Sequence, residues 1–240
     1  KVDKGVASIN DSEEVLTGGL DGLEERCTEY ESLGAKFTKW RAVIKIGENM
    51  PSDNCIEANM QALADYAKIV QQSNMVPIVE PEVLMDGEHS ADACFDATSR
   101  CLNSLFANLE NKGVNIKGII LKPNMVLAGQ GSPSQLTHED VAELTMKCLL
   151  KNVPEELPGI AFLSGGQTDI DATANLDALN KLGGNPWKLT FSYGRALQQA
   201  ALKSWLGQSE NVVNAQEAFS HRAKMNRLAA LGKWAEDLEG

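Results

Sequence analysis

The sequence predicts an α/β fold of the (β/α)8, or TIM, barrel type. Short apolar runs alternate with helical patterns, charged residues interrupt those runs, and glycine-rich loops follow the last two of them. Strands separated by helices imply a parallel sheet. The charges and loops then favour a sheet that closes over an open, doubly wound one.

In chain order, Phe37 to Ile46 reads as a strand, and Asn54 to Gln72 as a helix with Ile56, Met60, Leu63, Ala67 and Val70 along one stripe. Met75 to Val79 is a strand, Ser90 to Asn111 a helix, and Ile116 to Leu121 a strand. Thr137 is an N-cap candidate, with Asp140 three residues on. Ile160 to Leu163 is a strand followed by a helix over Thr168 to Leu182. Lys188 to Ser192 is the fifth strand, and helices near Arg195 to Leu206 and Val212 to Leu231 follow it. Val2-Asp3 reads as the stub of a sixth strand. No linker divides these units, so residues 1–240 are expected to form a single domain.

Parallel strands in such folds are normally apolar on both faces. Here Lys39 and Arg41 alternate within one strand, Glu80 and Glu82 close the next, and Lys122 ends the third. Buried charges are costly unless they meet each other or a ligand. Either a structural ion-pair network of Lys39, Arg41, Glu80 and Glu82 or a catalytic cluster would satisfy them. A barrel lets side chains from successive strands converge, and its chemistry sits at the carboxyl ends of those strands. Lys122, facing another lysine, is a candidate amine nucleophile. A nearby cation and partial desolvation both favour the neutral form of such a group.

Two loops suit an oxyanion. Ser164-Gly165-Gly166-Gln167 follows a strand and leads into a helix, and Ser192-Tyr193-Gly194-Arg195 repeats that placement with an arginine. The last two loops of a (β/α)8 barrel frequently form its phosphate site.

Composition excludes several other classes. The net charge is −11 with no basic run, which argues against nucleic-acid binding. No run of roughly 18 apolar residues suggests a membrane span, and the first residues lack a signal-peptide pattern, so the chain reads as soluble. The five cysteines show no CxxC spacing. Cys94 and Cys101 would lie ~10 Å apart on one helix face, too far for a disulfide. Free buried thiols are therefore expected. His89, His138 and His221 are scattered, so no metal site is expected. Solvated or capping roles suit all three.

The motifs KVDKG (1–5), GLDGL (19–23), KWR (39–41), VPIVEPE (76–82), LKPNMV (121–126), FLSGGQ (162–167) and FSYGRALQ (191–198) occur in order over essentially the whole chain. Together they resemble the class I fructose-bisphosphate aldolases, LKPNMV followed by FLSGGQ being the specific pair. The resemblance implies reversible cleavage of fructose 1,6-bisphosphate to dihydroxyacetone phosphate and glyceraldehyde 3-phosphate. It makes Lys122 the Schiff-base lysine and Glu80 a general acid/base. Lys39 would set their protonation, and Glu82 would orient the lysines. Arg41 would position the C6 phosphate, and Lys1 matches a strand-end lysine near the site. Ser164, Gly165 and Gly166, with Ser192, Gly194 and Arg195, would hold the C1 phosphate. No cofactor is implied beyond the covalent Schiff base on Lys122. The resemblance also implies a phosphorylated sugar as substrate, a homotetramer, and a cytoplasmic location, with a plastid left open.

Against the family pattern, the chain is expected to lack the first two βα units. It would also lack the aspartate they carry and the C-terminal tail ending in tyrosine. An aldolase for another ketose bisphosphate and a non-catalytic, aldolase-like binding protein are the alternative readings.

Overall fold

The computed structural model describes residues 1–240. Its centre is a parallel five-stranded sheet. β3 (Phe37–Ile44), β4 (Val76–Val83), β5 (Ile120–Leu121), β6 (Gly159–Phe162) and β7 (Lys188–Phe191) pair in sequence order. Ahead of them lie an antiparallel hairpin, β1 (Val6–Ser8) and β2 (Val15–Thr17), and helix α1 (Leu23–Ser32). Helices α2 (Asp53–Gln72), α3 (Ala91–Asn111), α4 (His138–Asn152) and α5 (Asp169–Leu182) connect the strands, and α6 (Arg195–Trp205) and α7 (Val212–Ala229) follow β7.

The sequence explains the two faces of this sheet. In β3 alternate residues Thr38, Trp40, Ala42 and Ile44 are buried, while Lys39, Arg41 and Val43 are half-buried. The first set packs towards α2: the Trp40 and Tyr66 rings lie 5.4 Å apart, and the Thr38 and Tyr66 hydroxyls are 2.8 Å apart. The second set lies on the other face, where parallel register sets Arg41 beside Glu80 and Val43 beside Glu82. The ladder continues past the strands. The Lys122 amide donates to the Val79 carbonyl (2.8 Å), Leu163 to Pro123 (3.1 Å), and Ser192 to Phe162 (2.8 Å).

Side-chain caps fix where the helices begin. Ser52, Ser90, Thr137 and Thr168 each accept the amide three residues on, at the starts of α2, α3, α4 and α5. Each such cap contributes about 1 kcal/mol. Thr137 therefore caps α4 as its sequence suggests.

Strands β3 and β7 are the sheet's two edges and do not pair with each other. The sheet has the strand order and helix placement of a (β/α)8 barrel, without closure. At the β3 edge the Val2 amide donates to the Lys39 carbonyl (3.0 Å), so the expected sixth-strand stub does lie along β3. The hairpin is fastened nearby through the Thr17 hydroxyl on the Arg41 carbonyl (2.8 Å) and the Asn59 amide on the Val15 carbonyl (2.8 Å).

The strand boundaries that differ most from the sequence reading are those of β4 and β5. β4 runs to Val83 because β3 pairs with it throughout, while β5 pairs only as far as Val79. Pro81 is thus tolerated where one neighbour has already ended. Ile116–Gly118 forms a 3₁₀ turn, started by the Asn115 side chain accepting the Lys117 amide (3.1 Å), which leaves only Ile120 and Leu121 as strand. All five cysteines are free and buried, as expected. His89 departs from its expected solvated or capping role: both its ring nitrogens are buried without a hydrogen-bond partner. No helix is long and apolar enough to cross a membrane.

Candidate active site

Glu80 is the hub of the charged face. Its Oε1 lies 2.9 Å from the Lys122 ammonium and its Oε2 lies 2.5 Å from that of Lys39. The Glu80 side chain is 4% exposed and that of Lys122 10%, so this contact is largely withdrawn from water. Three successive strands supply the three groups: Lys39 from the first half of β3, Glu80 from the middle of β4, and Lys122 directly after β5. Lys122 and Lys39 thus share one carboxylate.

A second pair sits one step further along the strands. Arg41 Nε donates to Glu82 Oε2. Glu82 therefore meets Arg41, and the expected contact with the lysines falls to Glu80 instead. Both cations reach forward along the same diagonal: Lys39 stands beside Ile78 in the ladder and pairs with Glu80, and Arg41 stands beside Glu80 and pairs with Glu82. This carboxylate holds the Arg41 guanidinium above its ordinary range; burial opposes the shift, while Glu80 and Asp3 add to it.

Lys1 joins this group indirectly. It pairs with Asp3 (2.8 Å), whose side chain is buried and accepts the Arg41 amide at 3.4 Å. Asp3 was not singled out in the sequence, although its place in KVDKG put it on the stub expected beside β3. Asn124 was missed as well. Its Oδ1 accepts the Val83 amide (3.0 Å) and its Nδ2 donates to Thr98 (3.0 Å), which ties the end of β4 to the segment after β5 and to α3. The residue stands directly after Lys122-Pro123, and a buried asparagine needs several partners.

The loop Ser164–Gln167 lies against this cluster. A Cβ at Gly165 would stand 2.9 Å from Glu82 Oε1, so the backbone there approaches that carboxylate closely. Gly166 has φ +79 and packs onto Met85. Beyond β7, Ser192 is half-buried, while Gly194 and Arg195 are exposed at the start of α6. Arg195 forms no ion pair within the chain. The cluster therefore comprises Lys39, Arg41, Glu80, Glu82 and Lys122, with Gly165 in contact and Lys1 linked through Asp3. Ser192, Gly194 and Arg195 stand at the end of the last strand and touch none of them through a polar contact. No group of three His, Cys, Asp or Glu side chains is arranged to hold a metal ion.

Comparison with known proteins agrees with this architecture. A family model described as glycolytic fructose-bisphosphate aldolase class-I matches residues 1–240. The chain is 53% identical to a probable fructose-bisphosphate aldolase class 1 of Xanthomonas campestris pv. campestris, over 98% of this chain and 71% of that one. It is 48% identical to the cytosolic fructose-bisphosphate aldolase 4 of Arabidopsis thaliana, over 100% of this chain and 61% of that one. A solved structure of the Plasmodium falciparum aldolase, in complex with TRAP and a small-molecule inhibitor, superposes with a TM-score of 0.95 at 48% identity. That match covers 98% of this chain and 68% of the other. The chain spans about two thirds of the length of these relatives. On its sequence, its strand order and these likenesses, the chain belongs to the class I fructose-bisphosphate aldolases, a family of glycolytic lyases.

Proposed function

We propose that this chain carries the Schiff-base centre of an aldolase that cleaves fructose 1,6-bisphosphate to dihydroxyacetone phosphate and glyceraldehyde 3-phosphate, with Lys122 as the amine. The observation that carries the proposal is the shared carboxylate: Glu80 of β4 touches both Lys39 of the strand on one side and Lys122 at the end of the strand on the other. Glu80 stands where it can take a proton from the Lys122 ammonium and return it to the hydroxyl that leaves as water. Lys39 holds the other oxygen of that carboxylate and tunes the transfer.

The amine attacks the ketone carbon, the carbinolamine loses water, and a protonated iminium results. The C3–C4 electron pair flows into that iminium as the C4 hydroxyl gives up its proton, leaving an enamine and freeing the aldehyde. Protonation and hydrolysis of the enamine release the ketone. The positively charged nitrogen is the electron sink, so the reaction has no need of a metal.

Arg41, aligned by Glu82, would meet the C6 phosphate, with Lys1 adding charge nearby. Ser164, Gly165 and Gly166, with Ser192, Gly194 and Arg195, would take the C1 phosphate through backbone amides and a guanidinium. The family reading extends to a homotetramer and a cytoplasmic location. Aldol cleavage followed with excess EDTA tests the metal-free route: the expected rate equals that without EDTA. Activity lost in EDTA and restored by zinc would overturn it.

A further inference from the structure

The loop proposed to hold the C1 phosphate is braced by side chains that are not part of the charged cluster. Gln167, its last residue, donates its amide to the Ser164 carbonyl (3.2 Å) and so closes the turn. The Gln167 side-chain oxygen accepts from Asn175 Nδ2 at 2.7 Å, and Asn175 Oδ1 lies 2.8 Å from His138 Nδ1. The Asn175 nitrogen is committed to Gln167, so its oxygen is the acceptor and His138 Nδ1 carries the hydrogen. Asn175 is 3% exposed, so its polar atoms rely on these partners. The same turn is fixed at its far end by Thr168, which accepts the Asp171 amide (3.1 Å) and donates to that carboxylate (2.6 Å). On the front, Gly165 abuts Glu82.

We infer that His138 and Asn175 are positioning residues for phosphate binding, acting through Gln167 on the backbone amides of Ser164, Gly165 and Gly166. The inference rests on the reading of that loop as the C1 phosphate site. A short glycine-rich turn can aim its amides in many directions, and binding to an oxyanion gains most when those directions are set beforehand. The His138–Asn175–Gln167 chain links the turn to the first residue of α4 and the middle of α5, which are two rigid elements. Loss of the chain should free the turn and weaken phosphate capture, while leaving the lysine cluster untouched.

The test is borohydride trapping on the full chain with two ketones, dihydroxyacetone phosphate and dihydroxyacetone, which lacks the phosphate. Asn175→Leu removes both hydrogen bonds at similar volume. The neighbouring cavity of about 200 Å³, lined in part by Leu127, Leu136 and Val141, gives the apolar side chain room. The expected result is a rise of about five- to tenfold in the half-saturating concentration of dihydroxyacetone phosphate, the equivalent of one hydrogen bond. That for dihydroxyacetone should stay within about twofold. His138→Ala should behave like Asn175→Leu, and His138→Asn, which restores a nitrogen donor near the place of Nδ1, should recover most of the loss. Unchanged dependence on dihydroxyacetone phosphate in both Asn175→Leu and His138→Ala overturns the inference. Equal losses for the two ketones also overturn it, because the effect would then not be specific to phosphate. If Arg195→Ala is likewise without effect, the phosphate-site reading fails as well; if it weakens binding while the relay variants do not, only the relay falls.

Discussion

Gly165 and Gly166 are neighbours in one loop, yet alanine should affect them in different ways. At Gly166 the backbone has φ +79, where an L-residue costs roughly 1–2 kcal/mol. The added Cβ would also overlap the Cβ of Met85, the root of a side chain that cannot swing aside, and overpacking of that kind costs about 1–3 kcal/mol. Gly166→Ala should therefore lose about 2–5 kcal/mol of stability. At Gly165 the new Cβ meets Glu82 Oε1 at 2.9 Å and Leu163 Cδ1 at 3.1 Å. Both are far ends of side chains that can shift, so Gly165→Ala should lose only about 1 kcal/mol. Its effect falls on geometry instead, because the displaced carboxylate is the one that aligns Arg41. Urea unfolding of the full chain, followed by circular dichroism with the slope held common, measures both losses. A Gly166→Ala variant as stable as Gly165→Ala, or Gly165→Ala with unaltered affinity for the bisphosphate, would refute this reasoning.

Arg195→Ala should weaken binding of dihydroxyacetone phosphate by about 1.5–3 kcal/mol, the worth of a charge-assisted contact; titration calorimetry giving an unchanged affinity would place the phosphate elsewhere. At the C-terminal end, Glu239 accepts both terminal nitrogens of the buried Arg222 (2.7 and 2.6 Å) and Trp234 Nε1 (2.8 Å). Burial draws the Glu239 carboxyl upward, but these hydrogen bonds and the charges of Arg222 and His221 outweigh it and hold the group below its ordinary value. A depressed carboxylate stabilises fully above its unfolded pKa of about 4.3 and loses that contribution as pH falls through the folded value. Glu239→Gln should therefore cost about 2 kcal/mol at neutral pH, with the gap to the parent chain narrowing in acid; a gap independent of pH would contradict the assignment.

The parts of the fold that could be read directly were those where a single physical signal dominated. Thr137 stands before a long helical run and is its cap, and the helix read from Thr168 begins one residue later with Thr168 as its cap. Lys39 and Arg41 alternate with apolar residues, which put them on one face of β3. Glu80 and Lys122 came together because the parallel register sets Val79 beside Leu121, which leaves the next residue of each strand level with the other. The hairpin and α1 were passed over for physical reasons. The hairpin strands have three residues each, and α1 buries only Leu23 and Cys27 after a Gly22 that provides no side-chain cap. Partner choice within the charged cluster was the least legible feature. Glu80 and Glu82 differ by one step of the pleat, and the pairing follows a forward diagonal across the β3–β4 register, Lys39 to Glu80 and Arg41 to Glu82, that neither strand's sequence displays alone. The His138–Asn175–Gln167 chain joins three residues far apart in sequence, and no spacing rule announces it.

The central claim is that Lys122 is the amine that bonds to carbon, with Glu80 and Lys39 managing its proton. Borohydride reduction of the full chain in dihydroxyacetone phosphate, followed by peptide mass spectrometry, tests it most directly. The reduced adduct is expected on the peptide containing Lys122. Lys122→Arg should abolish it, because a guanidinium offers no usable amine, and Lys39→Met should slow its formation without preventing it. An adduct found on Lys39 or Lys1, or one that persists in Lys122→Arg, would contradict the account.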